Sequence, residues 1–449
     1  METARERFER LNQLLQQDKE LELKEWLATL HPADIADMIE ALEEEGRKQV
    51  FGLLPPVLAS DVLVEIYDYA RGQVLEDMGK ERLGEIFKEL ETDEAADIIA
   101  DLPRKEARLI LSHIPQEDSE EVQRLLEYGE DTAGGIMQTR VAAVTEGTTA
   151  REAVELVRRA SEMTENLSNL YVVAEDKTLV GILTLSKLIL TQEDTPISQL
   201  MEPIRHSVTT HVDQEEVARI FKKYNLLSLP VVDDKGRLMG QVVVDDIVDV
   251  IDKEAAEDMY RMGGLYEDER VLDSPIKSVR KRMPWAFVNL ITAFLAASVV
   301  GFFTDTIASM AVIATFLPVV AGMGGNAGIQ TLAVIIRGLA MGDLDFAETR
   351  KVLFKQSVIG LLNGITAGIL AGIMAYYWYG KYLLGVVVGL AMTSNMVVAT
   401  SVGTLIPLAL RRLQVDPASG SGIFLTACTD AFGFFSYLGL ATLFLRFLM

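Results

Sequence analysis

The chain has 449 residues, a formal net charge of −24 and a mean hydropathy of +0.21, with 49% hydrophobic and 24% charged residues. High hydropathy and high charge coexist only when they are segregated, and residues 1–274 hold 60 acidic against 30 basic residues while 275–449 hold 6 against 12. An acidic front part repels nucleic acid and anionic lipid; a single cysteine, Cys428, excludes an internal disulfide framework, and four scattered histidines give no zinc spacing.

Met1 is followed by charged, helix-forming sequence without an apolar leader, so the amino terminus is expected in the cytoplasm. Residues 1–130 are rich in Leu, Glu, Ala and Lys at helical spacing. ADIADMIEAL (33–42) lies over DEAADIIADL (93–102), each ahead of a proline-marked turn, which predicts a short helical solenoid. Asp93 and Asp97, four apart, are expected on one helix face, where like charges repel unless a cation sits between them.

From about Ala133 to Ile251 the pattern changes to short β-rich runs. LYVVAE (170–175) and LPVVDD (229–234) each precede a turn and a second run, and Gly181 lies over Gly240 at an offset of 59. Helix–strand–turn–strand–helix in two copies resembles a tandem CBS-domain pair. That resemblance implies a two-fold unit whose clefts often hold adenosine nucleotides through a Ser/Thr and an Asp three positions on. Here the first copy has Thr184 but Lys187, and the second has Asp246 but Val243, so both pockets are incomplete. The second copy and its exit helix are crowded with carboxylates, all hard oxygen donors of the kind Mg²⁺ and Ca²⁺ prefer. Asp246, Asp249, Glu257 and Asp258 share a predicted helix leading to the membrane, and divalent cations would draw them together.

Arg280, Lys281 and Arg282 form a basic collar, after which five spans are predicted at 284–304, 308–340, 353–379, 382–410 and 421–447. The second and fourth exceed the length needed to cross, so tilt, a break or a cytoplasmic extension is expected. Arg350, Lys351, Lys355, Arg411 and Arg412 fall in the loops that a cytoplasmic amino terminus places inside, which puts the carboxyl terminus outside. Asp430 sits about ten residues into the last span. A lone carboxylate there costs at least ~2.5–3.5 kcal/mol and marks a functional site by default. Thr426 and Thr429 flank it, and LPVVAGMGGNAGIQT (317–331) adds Asn326 and Gln330 within a glycine-rich run that allows close helix packing or a local break.

In order, EDTAGGIM (130–137), the CBS pair, the acidic helix, the basic collar, GGNAG-x-Q and the late TD-x-x-G resemble the MgtE family over essentially the whole chain. The implied architecture is an all-α N-terminal helical solenoid (1–130) and an α/β tandem CBS pair (131–251, copies near 137–200 and 201–251). An acidic plug helix and linker (246–274) then leads to an all-α transmembrane domain of five helices (275–449). The resemblance implies a homodimeric, Mg²⁺-selective channel in the cell membrane, with Asp430 holding the hydrated ion. It also implies closure by cytosolic Mg²⁺ at Asp93, Asp97, Asp213, Glu215, Asp246, Asp249, Glu254, Glu257, Asp258 and Asp416. ATP enters as a candidate ligand through the CBS resemblance, with Thr184 and Asp246 as its residues. Two other readings fit: a secondary transporter, either coupled to protons through Asp430 or broader in its divalent cations (Co²⁺, Ni²⁺, Mn²⁺), and a nonconducting nucleotide sensor. No nucleophile–base pair, zinc motif or phosphate loop suggests an enzyme.

Overall fold

Short helices separated by proline and polar caps build the first part of the chain. In order they are α1 (Ala4–Gln16), α2 (Glu20–Leu27), α3 (Pro32–Glu40), α4 (Glu44–Leu53), α5 (Pro56–Glu65), α6 (Asp68–Leu75), α7 (Lys80–Glu89), α8 (Thr92–Asp101), α9 (Arg104–Leu111) and α10 (Gln116–Leu125). Pro32 and Pro56 open α3 and α5, where the missing N–H would lack an intrahelical partner anyway. A reciprocal Glu91–Glu94 capping box opens α8. The computed structural model describes residues 3–17, 19–75, 78–160, 168–265, 269, 274–344 and 348–448, in two compact units, Met1–Val250 and Ile251–Met449. Part of the expected plug linker, 266–268 and 270–273, lies outside the described residues.

In the first unit α1, α3, α5, α7 and α9 pack successively in one row, with α4 on α6 and α8 on α10 in the other. This is the helical solenoid. The similar stretches 33–42 and 93–102 fall largely on α3 and α8, one in each row. Their likeness therefore relates two amphipathic helices and not two turns of the solenoid, a correction to the expected repeat.

The next elements are β1 (Ala143–Thr145), α11 (Ala150–Ala160), β2 (Asn169–Val173), β3 (Leu179–Thr184), α12 (Leu185–Ile189), β4 (Glu202–Pro203), β5 (Val208–Thr209), α13 (Gln214–Tyr224), β6 (Ser228–Val232) and β7 (Leu238–Val243). They form two sheets, ordered β1-β2-β3-β4 and β5-β6-β7. The copies match in register: Val172 pairs with Gly181 and Val231 with Gly240, and each hairpin shifts register one residue later. They also exchange equivalent hydrogen bonds, from Leu179 N to Gly236 O at 2.9 Å and from Leu238 N to Lys177 O at 3.0 Å. The pair is therefore pseudo-two-fold. One apolar core runs from Leu11 through the solenoid to Val231, Val242 and Ile247 of the second copy, whereas the first copy has its own core around Leu170, Val172 and Leu183. The EDTAGGIM turn seals that junction, with Ala133 N on Val212 O at 2.7 Å and Gly134 N on Thr210 O at 2.9 Å. A Cβ on Gly135 would stand 2.7 Å from Glu130 O, so glycine is needed there for close approach.

α14 (Val244–Met262) carries residues of both units. In the second unit follow α15 (Pro275–Gly301), α16 (Thr304–Ser309), α17 (Leu317–Ala340), α18 (Thr349–Tyr379), α19 (Tyr382–Arg412) and α20 (Ser421–Leu443). Five segments are long and apolar enough to cross a membrane, the second including the 3₁₀ turn Ala311–Phe316 ahead of α17. Two expected boundaries need correcting, and one open choice is decided. α15 begins at Pro275, so Arg280, Lys281 and Arg282 lie within the helix rather than ahead of it. Pro318 lies in the first turn of α17, which runs unbroken through the glycine-rich stretch; of the packing and the break left open there, packing is what Gly324 and Gly328 serve, against Asn395 and Leu425. The last helix ends at Leu443, before a short turn Leu445–Leu448.

Backbone meets backbone between α18 and α19. A Cβ on Gly364 would lie 2.9 Å from Thr393 Cα, one on Gly368 2.5 Å from Gly389 O, and one on Gly372 2.7 Å from Gly385 O. Without a hydrophobic drive in lipid, such small-residue contact is what holds membrane helices together.

Candidate functional site

Asp430 is the sole carboxylate in the five apolar helices and lies half-buried on α20. Its neighbours on the helix differ in setting. Thr429, expected beside Asp430, is fully buried and donates to Thr426 O at 3.0 Å, so its hydroxyl faces the protein interior. Thr426 donates to Gly422 O at 2.9 Å and lines an open groove of about 350 Å³ together with Met262, Asn289, Ile329 and Gly422. Asn289 of α15 was not singled out from the sequence; its one signal is a polar side chain inside the apolar run AFVNLIT. Asn326 and Gln330 sit one turn apart on the exposed face of α17, while Ala327 and Gly328 face inward.

The end of α14 closes against the start of α20. Gly420 N donates to Arg261 O at 3.1 Å, and a Cβ on Gly422 would stand 2.5 Å from Met262 O. Glu257 and Asp416 both pair with Arg261, and Asp416 Oδ1 also accepts from Ala418 N at 2.7 Å. Burial, then Asp416 and Glu254, pushes the Asp258 carboxyl up to about 6. Four of the expected carboxylates thus meet here, but a guanidinium is among them, and repulsion alone would not have foretold it.

A second group lies in the first unit. Asp93 is 6% exposed and its Oδ1 is buried without a hydrogen-bond donor; Asp246 Oδ2 is likewise unpartnered. Burial first, then Asp246, Glu94 and Glu91, holds the Asp93 carboxyl well above the usual range. Burial, followed by Asp245 and Glu94, pushes Asp246 up to about 8, with Asp249 adding to it. Glu94 is raised by burial and then by Asp61, Asp245 and Asp97. Asp97 itself is exposed, so Asp93 and Asp97 do not share one environment as the four-residue spacing suggested. Glu94 and Asp61 join the group unannounced, because only tertiary packing brings α5 and α8 to the start of α14, where Asp245 belongs to the acidic crowd already seen in the sequence.

Asp213 caps α13, its carboxylate accepting from Glu215 N at 2.9 Å. Among the described residues no three Asp, Glu, His or Cys side chains converge as ligands of one ion. The front group is thus a set of crowded oxygens with orphaned lone pairs, short of a finished coordination shell. Its all-oxygen chemistry fits a hard divalent cation. At the nucleotide positions, Thr184 is exposed and accepts from Ser186 Oγ at 3.3 Å, and Lys187 pairs with Glu202 at 3.5 Å. Asp246 has Asp245, Glu94 and Asp249 around it, carboxylates that would repel a phosphate.

Sequence profiles match in the same order as these parts: the MgtE intracellular N domain at 30–131, CBS domains at 133–194 and 197–253, and a divalent cation transporter at 317–440. The chain is 35% identical to the magnesium transporter MgtE of Thermus thermophilus, covering 97% of this chain and 98% of that one. It is 36% identical to the protein of the same name from Enterococcus faecalis over 98% of both chains. Among solved structures, the cytosolic domain of the Mg²⁺ channel MgtE in complex with ATP is 37% identical. It covers 54% of this chain and 98% of its own, with a TM-score of 0.52. The soluble part of a magnesium transporter, 31% identical, covers 57% of this chain and all of its own, with a TM-score of 0.53. With its acidic solenoid, CBS pair and apolar helices all matched in order, the chain belongs to the MgtE family of membrane transporters.

Proposed function

We propose that the chain is a homodimeric Mg²⁺ channel that admits the ion across the cell membrane past Asp430. The observation that carries this reading is the lone carboxylate of the five apolar helices, half-buried on α20 one turn along that helix from Thr426, which lines the groove with Asn289. A carboxylate kept in an apolar span has to be repaid by a counter-charge, and a hydrated divalent cation supplies it. Two copies facing one another would double that field. The named relatives are magnesium transporters, which supports Mg²⁺ as the substrate.

The front carboxylates serve as the gauge in this reading. Asp93 and Asp246 would hold a regulatory Mg²⁺, with Asp97 and Asp249 beside them. The ion supplies the positive charge that their orphaned oxygens lack. Glu254, Glu257, Asp258 and Asp416 would respond at the inner mouth, and Asp213 and Glu215 at the second CBS copy. A ligand shifts a gate only by its differential affinity for the closed form; crowded, raised-pKa carboxylates provide that difference because they are penalised until a cation arrives. With the amino terminus inside, Arg411 and Arg412 at the end of α19 face the cytoplasm and the end of α20 faces outward. The ATP-bound relative supports a nucleotide at the CBS pair, where Thr184 is this chain's remaining element of the usual pair.

The test is Mg²⁺ flux into liposomes holding the full-length protein. Asp430→Asn should lower flux on the order of a hundredfold, the scale of one intramembrane charge. Wild-type flux from a folded, inserted Asp430→Asn protein would overturn the reading. Flux that vanishes without a pH gradient would favour the proton-coupled alternative.

A further inference from the structure

Deep in the membrane unit, three helices meet at one amide. Asn395 of α19 is fully buried, and its Nδ2 donates to Val320 O in the first turn of α17 at 2.9 Å. Its Oδ1 is buried with no hydrogen-bond donor. The amide fits because its neighbours lack side chains. A Cβ on Gly324 of α17 would stand 2.8 Å from Asn395 Cγ, and one on Gly433 of α20 would stand 2.7 Å from Nδ2. Gly433 is three residues from Asp430, on the adjoining face one turn away.

An amide is a poor choice here for stability alone. In an apolar interior an unpartnered carbonyl oxygen is penalised, and a leucine of similar reach would fill the seat without an orphan acceptor. What the amide adds is direction: a hydrogen bond to one particular carbonyl and a flat plate of fixed thickness between two glycines. We infer that Asn395 is a positioning residue of the ion pathway, setting the spacing and rotation of α17 against α20 and thereby the place of Asp430. The helix it holds on one side presents Asn326 and Gln330 on its exposed face; the helix on the other presents Asp430. The inference rests on Asp430 as the ion site.

The experiment uses the full-length protein in liposomes, with Mg²⁺ flux, half-saturating Mg²⁺ and the ratio of Mg²⁺ to Ca²⁺ flux as readouts. Thermal stability in detergent and the folded fraction are measured in parallel. Asn395→Leu should leave a folded protein at least as stable as wild type, yet raise half-saturating Mg²⁺ and lower the Mg²⁺-to-Ca²⁺ ratio roughly tenfold, within the usual range for coupling between sites. Gly433→Ala, which removes no polar group, should displace the amide and shift the ratio in the same direction. Asn395→Asp, able to donate to Val320 O when protonated, should recover part of the ratio. A wild-type ratio and half-saturation in both Asn395→Leu and Gly433→Ala, per folded molecule, overturns the inference. The two readings fail separately: Asp430→Asn with wild-type flux removes the ion site itself, whereas a silent Asn395 beside a dead Asp430→Asn removes only the positioning role.

Discussion

The first unit and the five apolar helices handle carboxylates in opposite ways. The front unit crowds Asp61, Glu91, Asp93, Glu94, Asp245 and Asp246 into one neighbourhood, so each raises the cost of ionising the next. The five apolar helices keep a single one, Asp430. Crowding makes a site whose state depends on how much cation is present, because occupancy relieves a standing repulsion. Isolation makes a site that attracts an ion on passage without holding a large cluster of charge in lipid. One arrangement suits a gauge and the other a path.

The sharpest way to break this contrast is to neutralise each population in turn. Asp430→Asn should remove flux about a hundredfold at every Mg²⁺ level. Asp93→Asn combined with Asp246→Asn should leave maximal flux intact and abolish its decline as Mg²⁺ on the gauge side rises. Equal loss in both variants, measured as liposome flux, would erase the distinction. Next in size is a packing test, since the membrane unit is held backbone to backbone at α18–α19 while the front unit has a side-chain core. Gly364→Leu should cost ~1–3 kcal/mol or more by overpacking, seen as a lower melting temperature of the detergent-solubilised protein.

A pH test follows. Asp246 titrates at about 8 in the fold against 3.8 for an ordinary aspartate, so between those values the native state holds a proton that the unfolded chain has lost. Stability from this group is therefore present below about pH 4 and lost as pH rises through 8. Without divalent cations the front unit of the full-length protein should resist protease better at pH 5.5 than at pH 8.5. Millimolar Mg²⁺ should restore protection at the higher pH; equal digestion under all three conditions would remove the gauge. The smallest effect is expected at Arg261, which already supplies positive charge to Glu257 and Asp416. Arg261→Gln should change the Mg²⁺ needed for closure a few-fold, about 1 kcal/mol as for other part-exposed ion pairs. A wild-type closure curve would show that the pair is incidental.

Much of this was legible in the chain. The 59-residue offset of the CBS copies reappears as matched strand registers, because period-two patterns and turn glycines are local properties. The spans were legible because lipid demands about twenty apolar residues in a row, although their ends moved where Pro275 and Pro318 start helices. Spacing misled at Asp97, where one face of α8 is not one environment. Thr429 shows the same limit, since adjacency to Asp430 in sequence says nothing about which way a side chain points.

By itself the sequence determined the segregation of charge, the order of parts and the single carboxylate that lipid would not tolerate without a purpose. Those follow from composition and period, which each segment carries alone. Only the tertiary structure decided that Glu94 and Asp61 join Asp93, that Arg261 answers Asp416, and that Asn395 stands between Gly324 and Gly433. Each of those depends on helices remote in sequence arriving at a few ångströms' separation. That distance is set by packing across the whole unit and is written in no single stretch of it.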